Sequence, residues 1–234
     1  MEMCNFNFSE FEHLWHCCST ILSQQLTMGQ GNKTDVTPKD LLFIVLCVLK
    51  AATNWDVMGG IFEKKGPTLQ ILFSQVLEIL SPFLCEEYIA KYYEKLSMRT
   101  LKHKNARFKN FPCALYATDV IFQHANRPSG TLLEGKPYFS GKHKLYGYKT
   151  EVSVAPTGHA IDVTAHKPGS ISDLVIFQGN LDFHKQALTK HDDDDQDNGL
   201  HSVRYPDNWA VLLDKGYQGA QQYVRAIIPK KKPH

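Results

Sequence analysis

Two aspartates each follow an apolar run: Asp119 comes after Ala114-Leu115-Tyr116-Ala117-Thr118, and Asp214 after Trp209–Leu213. Such runs read as buried strands, and in an open α/β sheet the side chains at strand ends project into the crevice where ligands gather. A third acid, Asp173, stands in the first turn of a helix expected after Pro168-Gly169-Ser170, with Ser170 as its cap and Phe177 as its end. Carboxylates brought to one point repel each other and are tolerated when a divalent cation lies between them. Hard oxygen donors suit Mg²⁺ or Mn²⁺. Two such ions about 3.5–4 Å apart form a clamp that activates water, or a 3′-hydroxyl, for in-line attack on a phosphodiester. The plainer reading makes each acid a cap or a surface group, and for Asp173 the helix dipole alone would account for its place.

Positioning these acids is the task of the second half of the chain, where hydrophobic periodicity shortens to two. Tyr146, Tyr148, Thr150, Val152 and Val154 alternate with Lys149, Glu151 and Ser153, which is the pattern of a strand. Ala155-Pro156-Thr157-Gly158 is turn chemistry, and His159–Ala165 reads as the returning strand of a hairpin. Asp192–Asp195 opens a low-complexity acidic loop. Lys215–Gly219 is a tight turn, Tyr223–Ala226 reads as helical, and Ile227-Ile228 begins a last strand.

The first hundred residues repeat at helical spacing. Phe8, Phe11, Leu14, Trp15, Cys18, Ile21 and Leu22 define one helix through about Gln25, and Gly29–Asn32 a loop. Thr37 caps and Pro38 opens a second helix ending near Ala52. A short segment, Trp55–Phe62, follows; Lys64-Lys65-Gly66 breaks it, and Pro67 opens a further helix through Leu80. Three helices with a glycine turn fit a helix-turn-helix and equally a plain bundle. In the first case Thr68, Gln70, Ser74 and Gln75 would face a DNA major groove, with Lys64 and Lys65 as further contacts, although the reading helix carries no Lys or Arg. Residues 101–110 hold a basic strip that reads as the connector between halves, and as a strip able to touch phosphates. His13, His16, Cys17 and Cys18 lie close together and read as a helix face with two small buried thiols rather than as a metal site.

With 26 Lys and Arg against 24 Asp and Glu, the net charge of the 234 residues is +2. So small a net charge argues against nucleic-acid binding purely by bulk charge, and local clusters would have to supply it. A secretory leader is not apparent, the six cysteines show no Cys-x-x-Cys pair, and the longest apolar run, Leu41–Leu49, falls short of the ~20 residues that span a bilayer. No membrane partner is expected.

Three blocks resemble a known family. Ser140-Gly141-Lys142-His143-Lys144-Leu145-Tyr146-Gly147-Tyr148-Lys149 is similar to the SGKHK-x-x-G-x-K stretch of Harbinger/IS5-like DDE superfamily endonucleases, the nuclease-type transposases. Pro168–Asp173 resembles that family's PGS-x-x-D block, and Asp214–Gly219 its DKGYQG block. Asp119 falls where the family has its first aspartate, although Asp-Val-Ile replaces the usual DGT. The resemblance implies an α/β, RNase H-like mixed sheet flanked by helices over residues 111–234, preceded by an all-α helix-turn-helix-like region over 1–100. It implies Asp119 and Asp214 as catalytic acids, Asp119, Asp173 and Asp214 around a divalent Mg²⁺ or Mn²⁺, and Lys142, His143 and Lys144 against DNA phosphates unless they form a plain exposed turn. Double-stranded DNA is the implied partner, a nuclear or otherwise intracellular location follows, and a homodimer is kept open.

The family's third acid is a glutamate on a helix beyond a PKK-like segment, whereas here the sequence ends at Pro229–His234 without one. That departure gives the expectation of a C-terminally truncated, impaired endonuclease, with a non-catalytic, domesticated DNA-binding remnant as the alternative.

Overall fold

A computed structural model describes residues 3–27, 36–191 and 197–229. The expected loop at 29–32, the acidic run at 192–195 and the lysines at 230–232 lie outside the described residues. The chain separates into two compact units, Met1–Glu87 and Tyr88–His234. That boundary precedes the expected connector: Leu101 is buried in the core of the second unit, together with Met98, on a helix of its own.

In the first unit the described residues form four helices: α1 (Phe8–Thr27), α2 (Pro38–Ala51), α3 (Trp55–Ile61) and α4 (Gly66–Cys85). Thr37 caps α2 by accepting the Asp40 N–H, and Pro38 occupies its first turn, both as local chemistry dictates. Cys18, Leu22, Leu41, Val45, Met58, Leu69 and Val76 form the core. Between α3 and α4 the backbone closes tightly: a Cβ on Gly59 would stand 2.5 Å from the Lys64 carbonyl oxygen. Of the two adjacent thiols, Cys18 is buried and Cys17 only half-buried, 4.0 Å from His13 Nε2. One helical stretch among the described residues, Gly66–Tyr93, is long and apolar enough to cross a membrane by length and composition. Its Leu69, Val76 and Leu80 are buried in the helical cluster, while most of its apolar window is not buried.

The second unit begins with α5 (Lys91–Tyr93) and α6 (Met98–His103), followed by β1 (Ala114–His124). Then come α7 (Leu132–Gly135), β2 (Phe139–Ser140), β3 (Leu145–Val154), β4 (Ala160–Val163) and β5 (Lys167–Pro168). The chain closes with α8 (Asp173–Gly179), α9 (Leu181–Leu188), β6 (Ala210–Leu213) and β7 (Ala226–Ile227). The sheet is mixed, in the order β2-β3-β1-β6-β7, with β4 and β5 also paired to β3. Strand β1 runs antiparallel to β3 and parallel to β6, which is itself parallel to β7. Ala114, Leu115 and Tyr116 are buried in succession, so both faces of β1 are covered at its start, as in a sheet with layers on each side. Phe177 of α8, Leu188 of α9 and Leu101 of α6 fill the core with Tyr116, Val211 and Leu213. The flanked mixed sheet is compatible with the fold the sequence implied.

Three local expectations change. Asp119 does not end its strand, because β1 continues to His124 along the antiparallel ladder with β3. Helix α8 is capped by Ser172, which accepts the Val175 N–H, and not by Ser170, whose own N–H bonds the Pro137 carbonyl. Tyr223–Ala226 is not a helix: a 3₁₀ turn covers Ala220–Gln222 and Ala226 already belongs to β7.

Candidate active site

Pairing between β1 and β6 ends at Thr118 with Leu213. Asp119 and Asp214 are the next residues of the two chains, so two carboxyl-bearing positions lie abreast where the parallel ladder stops, with neighbouring strands about 4.8 Å apart. Asp119 stays on β1, opposite Val152 of β3, while Asp214 leaves β6 and caps the 3₁₀ turn Lys215–Tyr217. Each commits one oxygen to a backbone N–H: Asp119 Oδ1 accepts from Val120 at 2.8 Å, and Asp214 Oδ1 accepts from Gly216 at 2.6 Å. No hydrogen bond among the described residues takes the other oxygen of either.

Asp173, the first residue of α8, joins them. Gly216 lies between the carboxylates, since a Cβ there would stand 2.5 Å from Asp173 Oδ2 and 2.9 Å from Asp214 Oδ1. Asp173 Oδ1 accepts from Lys149 Nζ at 2.8 Å, and the same ammonium donates to the Ile171 carbonyl at 2.8 Å. The Asp119 carboxyl is shifted up from its ordinary value: burial raises it, the Val120 N–H opposes, Asp214 and Asp173 raise it further, and Lys142 opposes. Three acids therefore share one field, with Lys142 inside it.

Lys142, His143 and Lys144 form the exposed turn between β2 and β3. Lys144 takes a left-handed conformation, φ +59°, and its N–H bonds the Ser140 carbonyl. The His143 ring stacks on Phe122 at 4.4 Å and 7°. Phe122 has no room on its other neighbours, because Cβ atoms on Gly147 and Gly169 would stand 2.7 and 3.1 Å from its ring.

Beneath the acids lies a polar cluster that the sequence reading did not single out. The buried side of β3 is its polar one: Lys149, Glu151 and Ser153 are buried while Tyr148, Thr150, Val152 and Val154 are only partly so. Ser153 shares a hydrogen bond with Thr118 at 2.8 Å. Glu151 Oε1 pairs with His184 Nε2 at 3.0 Å and accepts from Asn180 Nδ2 at 3.2 Å. His184 Nδ1 pairs with the Tyr116 hydroxyl, and Asn180 also donates to Asp162. With Nε2–H facing Glu151, the Nδ1 lone pair accepts from Tyr116, and every imidazole nitrogen is used. Glu151 Oε2 and the Tyr217 hydroxyl are buried without a hydrogen-bond partner among the described residues. Burial first, then Glu151, Asp119 and Asp173, push the Tyr217 phenol far up. The alternation Lys149-x-Glu151-x-Ser153 was the available signal for this cluster. It gives two faces, and only the structure says which one turns inward.

Donor chemistry at the Asp119–Asp214 junction suits a divalent cation: hard oxygens, free second oxygens, and a carboxyl raised by burial and then by its acidic neighbours. No three His, Cys, Asp or Glu side chains among the described residues are grouped to hold a metal ion. Of the sequence-expected acids, Asp173 and Asp214 border Gly216, and both they and Lys142 act on Asp119, without the three carboxylates closing on one point. Lys64, Lys65, Thr68 and Gln70 belong to the other unit, where Lys65, Thr68, Gln70, Ser74 and Gln75 are exposed.

Compared with protein families, the chain matches the family model described as DDE superfamily endonuclease over residues 118–234, half of its length. No curated protein and no solved structure gives a match.

Proposed function

The chain belongs to the DDE superfamily endonucleases, and on that premise we propose that it acts on DNA phosphodiesters at the junction of β1 and β6. The observation that carries this is the placement of Asp119 and Asp214 side by side where the β1–β6 ladder stops, inside the matched segment. Asp119 and Asp214 would hold a divalent cation, Mg²⁺ or Mn²⁺, through oxygens the protein leaves free. Bound there, such an ion supplies Lewis-acid polarisation of a phosphoryl oxygen and a more acidic bound water. Backbone N–H groups of Val120 and Gly216 orient the two carboxylates. Lys142 and His143 bind the phosphodiester, with His143 held in one plane by its stack on Phe122.

DNA contact is assigned chiefly to the second unit. Residues 1–87 carry 5 Lys and 10 Asp or Glu, whereas residues 88–234 carry 21 Lys or Arg and 14 acids. Phosphate binding follows such local excess. The blocks around Lys142, Asp173 and Asp214 support placement in the Harbinger-like branch.

A second reading, DNA binding without cleavage, draws on the tight α3–α4 turn and the exposed polar side chains Thr68, Gln70, Ser74 and Gln75 of α4. Incubating the full chain with supercoiled plasmid and Mg²⁺ or Mn²⁺ separates the two. Nicking that is lost in Asp119→Asn and in Asp214→Asn, with melting preserved, supports the first. Binding without nicking that disappears on deleting residues 38–80 overturns it in favour of the second.

A further inference from the structure

The Lys149 ammonium is unusual in where it sits. It is 7% exposed, on the inward side of β3, and it reaches Asp173 Oδ1 and the Ile171 carbonyl, each at 2.8 Å. The ion pair is nearly closed to solvent, with side chains 8% and 12% exposed. A lysine brought this far from water needs a fixed anion, and the anion here is one of three carboxylates in a common field. Asp173 turns its other oxygen toward Gly216 and Asp214. One face of the acidic cluster is thus already occupied by a cation that belongs to the chain.

Charge supports the same assignment. Asp119, Asp173, Asp214 and the Glu151 beneath them bring four negative charges, and Lys142 and Lys149 bring two positive ones. A single divalent ion balances the remainder. A second divalent ion would have to displace an ammonium held by two hydrogen bonds, or crowd against it.

We infer that Lys149 is the built-in second cation of this centre, so that the site takes one divalent ion, between Asp119 and Asp214, and Asp173 serves Lys149 instead of a metal. The inference rests on the proposed divalent centre. It alters the expectation of two ions and of Asp173 as a metal ligand. In this arrangement the ammonium orders Asp173 and the Ile171 carbonyl, and through them the start of α8, whether or not metal is bound.

The test is Mn²⁺ binding to the full chain, by calorimetry and by the electron-spin resonance signal of free Mn²⁺. Site ions are those lost in the Asp119→Asn/Asp214→Asn double variant, which removes the acidic run at 192–195 from the count. Wild type is expected to hold one site ion. Lys149→Met, folded by its thermal melt, is expected to hold two, because Asp173 is released. Lys149→Met/Asp173→Asn returns to one, and Lys149→Arg stays at one. Should Lys149→Met fail to fold, Asp173→Asn carries the test: it keeps one site ion with affinity weakened no more than ~10–100-fold, as for a residue outside the metal's direct ligands. Two site ions in wild type, one in a folded Lys149→Met, or none in Asp173→Asn overturns the role of Lys149. No site ion in wild type overturns the divalent centre itself, and this inference with it.

Discussion

Asp197→Asn tests the support beneath β6, the strand that delivers Asp214. Arg225 is fully buried and its guanidinium is closed on every side. It donates to Asp197 Oδ2 at 2.9 Å and Oδ1 at 2.7 Å, to the Asn208 carbonyl at 2.9 Å and to the Leu200 carbonyl at 2.8 Å. The Arg225 carbonyl in turn accepts the Val211 N–H at 3.0 Å, which ties the clamp to β6. An asparagine keeps one acceptor and removes the charge, leaving a buried guanidinium without its anion. Breaking such a pair costs about 3–5 kcal/mol. For a unit of roughly 150 residues at ~2.1 cal/mol/K per residue, unfolding entropy is ~0.3 kcal/mol/K, so the melting temperature should fall by ~10–16 °C. Differential scanning calorimetry of the full chain reads this directly.

The pH dependence has a definite sign. Burial alone would raise the Asp197 carboxyl, but hydrogen bonds from Arg225, Lys190 and Gly199 outweigh it and hold the group well below the usual carboxylate range. A depressed folded value means that the stabilisation is present above the unfolded value near 3.9 and is lost as pH falls through the folded one. The gap between wild type and variant should therefore be full at pH 7 and narrow steadily below about pH 4. A shift under ~3 °C at pH 7, or a gap that stays constant into acid, would refute the reasoning.

Gly216→Ala places a methyl 2.5 Å from Oδ2 of Asp173, a carboxylate that Lys149 holds by its other oxygen, and 2.9 Å from the Asp214 oxygen that the turn pins. A displacement approaching 1 Å should weaken Mn²⁺ binding or nicking by ~10²-fold with little change in melting, and wild-type affinity would exclude it. Glu151→Ala should destabilise by about 2–6 kcal/mol in urea unfolding, because His184 and Asn180 each lose an acceptor, while Glu151→Gln, which keeps one, should lose about half as much or less. Replacing Lys142, His143 and Lys144 together with alanine should reduce the salt slope of DNA binding by up to ~2–3 in log–log units, and an unchanged slope would remove this turn from the interface.

What could be read from the sequence was local. Thr37 and Pro38 start α2 by side-chain capping and a fixed φ, neither of which needs a tertiary partner. The positions of the three acids were legible because two follow apolar runs and the third sits in a helix start. The end of β1 was not, because Val120–His124 is half-exposed and follows a charged Asp119, and is held as strand by its ladder with β3. The basic strip near 101–109 reads as solvent-exposed by composition, yet two apolar side chains, Met98 and Leu101, suffice to fasten its helix to the core. Lys149 and Glu151 were visible in the alternation of β3, but periodicity does not tell a polar face turned outward from one turned inward with its partners supplied from α8 and α9.

That inward polar face acts as a key for strand alignment. In most half-buried strands a slip by one residue is resisted because it brings apolar groups to water. In β3 a slip would bring Tyr148, Thr150 and Val152 under the helices and strand Lys149, Glu151 and Ser153 outside, away from Asp173, His184 and Thr118. Apolar burial would favour the wrong alignment, and the matching of charge and hydrogen bonds opposes it, together with the close approach at Gly147. Since β3 fixes the height of Asp119 on β1, fidelity of the carboxylate junction depends on this matching. Enriching the strand's inner positions in aliphatic residues should yield a chain that folds with its acids out of step.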